Sequence, residues 1–278
     1  MAAALYVVAT PIGNLEDISY RAVSILKAVD YIAAEDTRHT LKLLQHYSIV
    51  TPMIALHDHS SAADIGRMVE LLRSGKNVAL VSDAGTPLIS DPGYGLVRQL
   101  HDCGMVVVPV PGPSAVIAAL SVAGLPSDRF CFEGFLPARQ SARQERLGLL
   151  ASEVRTMVFY EAPHRIVECL QDICLLLGEA RKVTLARELT KRFETICQKP
   201  AADLLAWILS DENQQRGEIV LVVEGAVPQE RQALSPQARS LLESLKDELP
   251  PKRLSKIVAE HYGISPKEAY EYLLSLKK

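Results

Sequence analysis

Residues 82–93, with the sequence SDAGTPLISDPG, constrain the fold more than any other part of this 278-residue chain. They follow a short apolar run at residues 78–81, which is typical of a buried parallel strand. In open α/β sheets, ligands bind at the loops that follow the carboxyl ends of the strands. A loop this rich in Gly, Pro, Ser and Asp therefore predicts an α/β protein with a small-molecule site.

A second loop of the same kind follows the first predicted strand, at residues 5–9. Its sequence, TPIGN, has one glycine where the dinucleotide-binding fingerprint needs three, and the chain has no GxxxxGK[ST] phosphate loop. Proline has no N–H donor, so such loops offer carbonyl groups, which suit a cationic or electron-poor ligand. The alternative is that both loops are ordinary turns between a strand and a helix.

Residues 109–115 end a strand and open a helix, with Ser114 near the helix N-terminus. A hydroxyl group and free N–H groups at that position can hold a carboxylate. A capped helix after a domain hinge explains the segment equally well.

Charged side chains cluster in residues 35–39, EDTRH, after the second predicted strand. A solvated helix N-terminus favours the acids, but Arg38 and His39 oppose the helix dipole, which points towards function. His57, Asp58 and His59 are residue types that bind metals, but no further ligand follows this group at a recognisable spacing. The sequence therefore favours a surface strand end there and predicts no metal site.

Composition bounds the class of protein. The chain is 48% hydrophobic and 23% charged, as in a globular protein with a sizeable core, and its net charge of −3 argues against a uniformly basic surface. The five cysteines form no CxxC pair, which favours reduced thiols. Because there is no basic leader and no membrane-length apolar run, we expect a cytoplasmic protein without a membrane partner.

The apolar patterns predict three units. An N-terminal α/β domain is expected over residues 1–124 and a second over 125–225, followed by a linker and helical unit over 226–278. The predicted strands lie at residues 5–9, 31–34, 53–56, 78–82, 105–109, 129–133, 156–160, 182–186 and 218–223. Helices at 251–262 and 266–276 flank Gly263 as in a helix-turn-helix, with Ser265 and Glu268 spaced as a capping box.

Five segments in this order resemble the tetrapyrrole-methylase-type methyltransferases: ATPIGNLEDI, AEDTR, the 82–93 loop, PGPSA and EGFLP. The chain is most similar to the branch that methylates a ribose 2′-oxygen of small-subunit ribosomal RNA, from about residue 5 to residue 278. The tetrapyrrole enzymes carry Gly-Asp-Pro where this chain has Gly85-Thr86-Pro87. That departure fits the RNA branch and weighs against a corrin or porphyrin substrate.

The resemblance implies two α/β domains, a homodimer and S-adenosylmethionine (SAM) in the cleft between the domains. It also implies methylation of a cytidine ribose in the decoding region of 16S rRNA, on the small ribosomal subunit. Carried over residue by residue, the SAM site is predicted to comprise Pro11, Ile12, Gly13, Thr86, Ile89, Ser114, Ala115, Tyr160, Ala186 and Glu218.

A ribose hydroxyl is a poor nucleophile at neutral pH, so a base or a cation near the acceptor oxygen helps the transfer. We expect Asp36 to act as that base, with Arg38 positioning phosphate or ribose. Asp83, Asp91 and Glu161 also lie at predicted carboxyl ends of strands and are further candidates.

Basic side chains suggest where RNA binds. Arg139, Arg143 and Arg146 are spaced to share one helical face. Further predicted contacts are Lys191, Arg192, Lys252 and Arg253. Solvated helix faces explain the same charges. The negative net charge favours an assembled ribosomal particle as the substrate.

Two alternative functions stay open: a tetrapyrrole methyltransferase, and a catalytically silent RNA-binding assembly factor.

Overall fold

The computed structural model describes residues 3–57, 62–227 and 234–276. The chain forms two compact units, Met1–Ala226 and Val227–Lys278. The first unit contains two five-stranded sheets covered by helices, and the second is helical, so the α/β class is confirmed. Within the described ranges no helix is long and apolar enough to cross a membrane.

The first sheet is entirely parallel. Its strands are β1 (Ala4–Val8), β2 (Tyr31–Ala34), β3 (Met53–Ala55), β4 (Val78–Val81) and β5 (Val106–Val110), in the spatial order β3-β2-β4-β1-β5. Helices cover both faces: α1 (Tyr20–Ala28), α2 (Thr37–His46), α3 (Ala62–Arg73) and α4 (Tyr94–Asp102). Leu26 and Leu44 belong to the core on one face, and Met68 and Leu96 to the core on the other. Because the strands are parallel, the loops after them share one edge.

The second sheet is mixed. Its strands are β6 (Phe130–Phe135), β7 (Thr156–Glu161), β8 (Lys182–Arg187), β9 (Thr195–Pro200) and β10 (Ile219–Val223), in the order β6-β7-β10-β8-β9. Only β6 and β7 are parallel neighbours; the other pairs are antiparallel. The edge strand β9 was not predicted. Since β10 runs against β7 and β8, it begins at the edge where they end.

Helices pack on both faces of the second sheet. One face is covered by α6 (Gln140–Leu150), α7 (Ile166–Leu177) and α8 (Ala201–Ser210). The other is covered by α5 (Ala115–Val122), through Val116 and Ala119 against Val158 and Val220. This helix precedes residue 124, so the first half of the unit supplies a layer of the second half.

A buried ion pair joins α6 to α7 and overturns one RNA-contact prediction. The Arg143 side chain is 1% exposed and its Nε lies 2.6 Å from Oδ2 of Asp172, which is 3% exposed. Its guanidinium also donates to Glu168 and to the carbonyl of Ala138. Arg143 is therefore part of the core. Its spacing from Arg139 and Arg146 does not place all three on a solvent-facing surface.

The helical unit consists of α9 (Pro236–Leu245), α10 (Pro251–Tyr262) and α11 (Pro266–Ser275) around its own apolar core. Gly263, with φ +66°, ends α10 in the left-handed conformation that favours glycine. Ser265 is the N-cap of α11, but its side chain makes no capping hydrogen bond, so the predicted capping box is wrong. The two helices on either side of Gly263 agree with the predicted helix-turn-helix arrangement.

Candidate active site

A cavity of about 410 Å³ lies where the loops of the first sheet meet the second sheet. The first sheet supplies the loops after β1 and β4 and the start of α5. The second sheet supplies the ends of β6, β7 and β8 and the beginning of β10. The lining residues are Ile12, Ala84, Gly85, Thr86, Ile89, Ser90, Asp91, Ser114, Ala115, Phe135, Tyr160, Glu161, Ala162, Pro163, Ala186, Leu189, Glu218, Ile219 and Val220.

Backbone hydrogen bonds tie the three glycine- and proline-rich loops together. Thr10 and Gly85 form an isolated antiparallel bridge, with N···O distances of 2.8 and 3.0 Å. The Thr86 hydroxyl donates to the carbonyl of Pro113, 3.0 Å away. Thr86 thus links the 82–93 loop to residues 109–115 and fixes one wall of the cavity.

The loop after β4 holds an unusual backbone. Leu88 and Ser90 have φ values of +74° and +65°, which are uncommon for residues with a side chain, and Gly85 has φ +81°. Such conformations cost free energy and persist where the surroundings enforce them, often at functional sites. Ile89 and Ser90 reach the cavity wall through this conformation.

Aromatic rings form the wall on the second sheet. Tyr160 packs against Phe132 with ring centroids 4.9 Å apart and against Phe135 at 5.5 Å. Burial raises the pKa of Tyr160 to about 12, and the negative charge of Asp91 adds to the shift. The phenol therefore stays protonated at neutral pH and keeps an O–H donor beside the cavity.

Three carboxylate residues line the cavity, but they are not equivalent. Glu161 follows Tyr160 on β7, so its side chain points to the opposite face of the sheet. There it is 1% exposed and 2.7 Å from Arg165, which commits it to a structural ion pair. Asp91 and Glu218 remain as the acids at the cavity, and Glu218 is held by Lys191 at 3.0 Å.

All but two of the residues predicted for the SAM site line this one cavity. The exceptions are Pro11 and Gly13. Gly13 lies behind the wall, where a Cβ atom would come within 2.8 Å of the Leu189 carbonyl oxygen and 2.5 Å of Lys191 Cγ. Its lack of a side chain lets the loop after β1 approach the loop after β8.

The predicted base Asp36 does not line the cavity, and nor do Arg38 and Asp83. Asp36 caps α2 by accepting from the Arg38 N–H at 2.8 Å and pairs with the Arg38 guanidinium at 2.7 Å. That pair holds the pKa of Asp36 well below its ordinary value, which makes the carboxylate a weak proton acceptor. Asp83 accepts the backbone N–H of Asp36. These hydrogen bonds connect the loop after β2 to the loop after β4, which is a structural role.

Several lining residues were not among the predicted site residues. Phe135 belongs to the EGFLP segment and Ser90 to the 82–93 loop, so both stood inside motifs that the sequence had already singled out. Leu189 and Ile219 carry no motif signal of their own. Only the antiparallel placement of β10 beside β8 brings them together.

The predicted RNA-contact residues differ in their surroundings. Arg139 and Arg192 are exposed, and Arg146 is half exposed while bonded to Glu133. Lys191 is mostly shielded and pairs with both Glu188 and Glu218. In the helical unit Lys252 and Arg253 are exposed in the first turn of α10.

No metal centre emerges from the described ranges 3–57, 62–227 and 234–276, which contain no cluster of three or more His, Cys, Asp or Glu suited to a metal ion. Of the His57, Asp58 and His59 group, Asp58 and His59 lie outside those ranges.

Comparison with known proteins agrees with the two-sheet architecture. Residues 4–205 match the family of Tetrapyrrole (Corrin/Porphyrin) Methylases. The chain belongs to this family. A structural neighbour in the family fold is the cobalamin biosynthetic enzyme cobalt precorrin-4 methyltransferase, with a TM-score of 0.60 and 18% identity over 80% of this chain and 94% of that one. At this identity the likeness shows the fold alone.

Relatives with much higher identity lie within one branch of the tetrapyrrole methylase family. The chain is 53% identical to the ribosomal RNA small subunit methyltransferase I of Escherichia coli O157:H7, over 97% of this chain and 94% of that protein. It is 52% identical to the protein of the same name in Pseudomonas aeruginosa, over 98% and 97%. Residues 232–277 match a helix-turn-helix domain described as the C-terminal domain of this branch.

Proposed function

We propose that this chain transfers a methyl group from SAM to the ribose 2′-oxygen of a cytidine in the decoding region of 16S rRNA, on the small ribosomal subunit. The observation that carries the proposal is the 410 Å³ cavity formed by loops of both sheets, in a chain of this methylase family. The chain is 52–53% identical to these relatives over nearly the full length, and their names support ribosomal RNA as the acceptor.

The cavity residues fit SAM. The volume of the cavity is in the range of ordinary small-ligand sites. Apolar walls from Ile12 and Tyr160 suit an adenine ring, whereas Ser114 and the first amide groups of α5 suit a carboxylate. Asp91 and Glu218 supply negative charge that favours a sulfonium cation and hydroxyl or ammonium donors.

When bound, SAM would supply an activated methyl group: the acceptor oxygen would bond to the methyl carbon in line as the carbon–sulfur bond breaks, and a neutral thioether would leave. The chain's own task is then to position the acceptor hydroxyl and to receive its proton. Asp91 lines the cavity from the 82–93 loop that follows β4, which is where ligands of open α/β sheets bind. We therefore assign proton acceptance to Asp91 in place of Asp36, Asp83 or Glu161.

Gly13→Ala is expected to weaken SAM binding about tenfold. The new methyl group would overlap the Leu189 backbone carbonyl, and overpacking of this kind forces the backbone to shift. Isothermal titration with SAM measures the change. The matched control is Gly66→Ala, because a Cβ there would meet nothing within 4 Å beyond its chain neighbours and the backbone of its own helix. Equal SAM affinity of Gly13→Ala and wild type would contradict the proposed packing role.

Exposed arginines in the predicted RNA set are expected to contact phosphates. The double substitution Arg139→Ala and Arg192→Ala should weaken binding to small subunits and reduce the salt slope of log K by about one per lost contact. Arg21→Ala, another exposed arginine outside that set, serves as the control. Filter binding across a salt series measures the slope, and an unchanged slope in the double variant would remove these residues from the interface.

Two other functions are distinguished by the acceptor. Purified protein is incubated with methyl-labelled SAM and, in parallel, with unmodified small subunits, free 16S rRNA or a tetrapyrrole. Label in the RNA supports the proposal, whereas label in the tetrapyrrole would show a tetrapyrrole methyltransferase instead. SAM binding without transfer to any acceptor would favour a silent assembly factor. The homodimer implied by the resemblance stays a prediction.

A further inference from the structure

A second cavity, of about 230 Å³, adjoins the first. Asp91 lines both cavities, so the acid to which we assign proton acceptance stands at their common wall. The second cavity has an apolar floor from Leu56, Ile65 and Leu96 and polar or aromatic sides from His57 and Tyr94. None of these five residues lines the first cavity.

The local backbone explains why Tyr94 is available at this place. Gly93, with φ +124°, turns the chain out of the 82–93 loop and is the N-cap of α4. Tyr94 is the first residue of that helix, and the residue is 68% exposed although it carries a large aromatic ring. As Gly93 has no side chain, no side-chain cap covers the amide groups of the first turn.

We propose that the second cavity binds one unstacked nucleotide of the RNA acceptor, with its base against Tyr94 and its ribose towards Asp91. This inference rests on the proposed function. Enzymes that modify a nucleotide commonly take it out of the stack and hold its base against aromatic or apolar side chains. A cavity little more than half the volume of the first is sized for one ring system rather than for the four rings of a tetrapyrrole.

Because both cavities are lined by Asp91, a nucleotide in the second cavity can reach the first cavity at that residue. A ribose that enters from the second cavity meets the first one at Asp91, the only one of the three acids lining the SAM cavity that also lines its neighbour within the described residues. Proton acceptance by Asp91 and base recognition by Tyr94 then come from residues three positions apart in one segment, residues 91–94. The strained conformations at Leu88 and Ser90 precede that segment and help to set its direction.

Three substitutions test the inference: Tyr94→Ala, Tyr94→Phe and, as the matched control, Tyr20→Ala, which removes another exposed tyrosine at the start of a helix. Loss of one base–aromatic stack corresponds to about a 5- to 150-fold effect. We expect kcat/KM for small-subunit methylation to fall within that range in Tyr94→Ala only. SAM affinity should be unchanged in all three variants.

A second readout does not depend on activity. In saturation-transfer NMR with cytidine 5′-monophosphate as the probe, wild type, Tyr94→Phe and Tyr20→Ala should transfer magnetisation to the pyrimidine protons, and Tyr94→Ala should lose most of it. Wild-type kinetics and probe contact in Tyr94→Ala would overturn the inference while leaving the proposed function intact. Absence of rRNA methylation by the wild-type protein would instead overturn the proposed function.

Discussion

Asp91→Asn should lower the rate of methyl transfer to small subunits by about 10²- to 10⁴-fold, the usual contribution of a positioned general base. Asparagine keeps the size of the side chain but cannot accept the proton of the ribose hydroxyl. SAM affinity should change only a few-fold because most of the cavity wall is untouched. Single-turnover transfer and isothermal titration separate the two effects.

Asp36→Asn is the matched control for this experiment. Asparagine is as good a helix N-cap as aspartate, so α2 should keep its cap while the ion pair with Arg38 is lost. We expect its transfer rate to stay within about threefold of wild type, since capping rather than catalysis is disturbed. A large loss in Asp36→Asn together with normal transfer in Asp91→Asn would return the role of base to Asp36.

Arg143→Ala should lower the free energy of unfolding by about 3–5 kcal/mol, the cost of leaving a buried charge unpaired. The partner left behind is Asp172, whose side chain is 3% exposed. Arg146→Ala is the matched control on the same helix, because Arg146 is 47% exposed and its pair with Glu133 is worth at most about 1 kcal/mol. Denaturant unfolding of the full chain measures both.

A double substitution distinguishes an unpaired charge from simple loss of packing. Arg143→Met combined with Asp172→Leu removes both charges and should lose less stability than Arg143→Ala alone. If Arg143→Ala and Arg146→Ala were equally mild, Arg143 would not be the buried partner described above, and the RNA-contact prediction for it would regain support.

The fold and most of the cavity could be predicted because their signals are local. Apolar runs mark the parallel strands, and loops dense in Gly, Pro, Ser and Asp mark where those strands end. In a parallel sheet such loops share one edge, which brings Ile12 and Thr86 together without knowledge of the tertiary structure. Tyr160 and Ala186 were reached only through the family resemblance.

The failed predictions concern which way a side chain faces. Arg143 precedes Leu147 by four residues and Leu150 by seven, so it lies on the buried stripe of α6. Asp172 lies on the buried stripe of α7 beside Ile173. A charge on each of two apolar stripes is a signal for a buried pair, and reading Arg143 only with its neighbouring arginines missed it.

Other features depend on contacts distant in sequence. Strand alternation already places Glu161 with Phe159 and Met157 rather than with Tyr160, but only the structure supplies its partner Arg165. The edge strand β9 has a half-polar sequence that ends in Pro200, so it carried no strand signal. Its pairing with β8 decides its conformation.

The central claim is transfer of a SAM methyl group to a ribose 2′-oxygen of small-subunit RNA. The most direct measurement incubates the purified full chain with methyl-labelled SAM and unmodified small subunits, then digests the recovered 16S rRNA with alkali. A 2′-O-methyl group blocks cleavage of the adjacent 3′ linkage, so the account predicts label in an alkali-resistant dinucleotide containing cytidine. Label recovered only in mononucleotides would place the methyl group on a base and contradict the account.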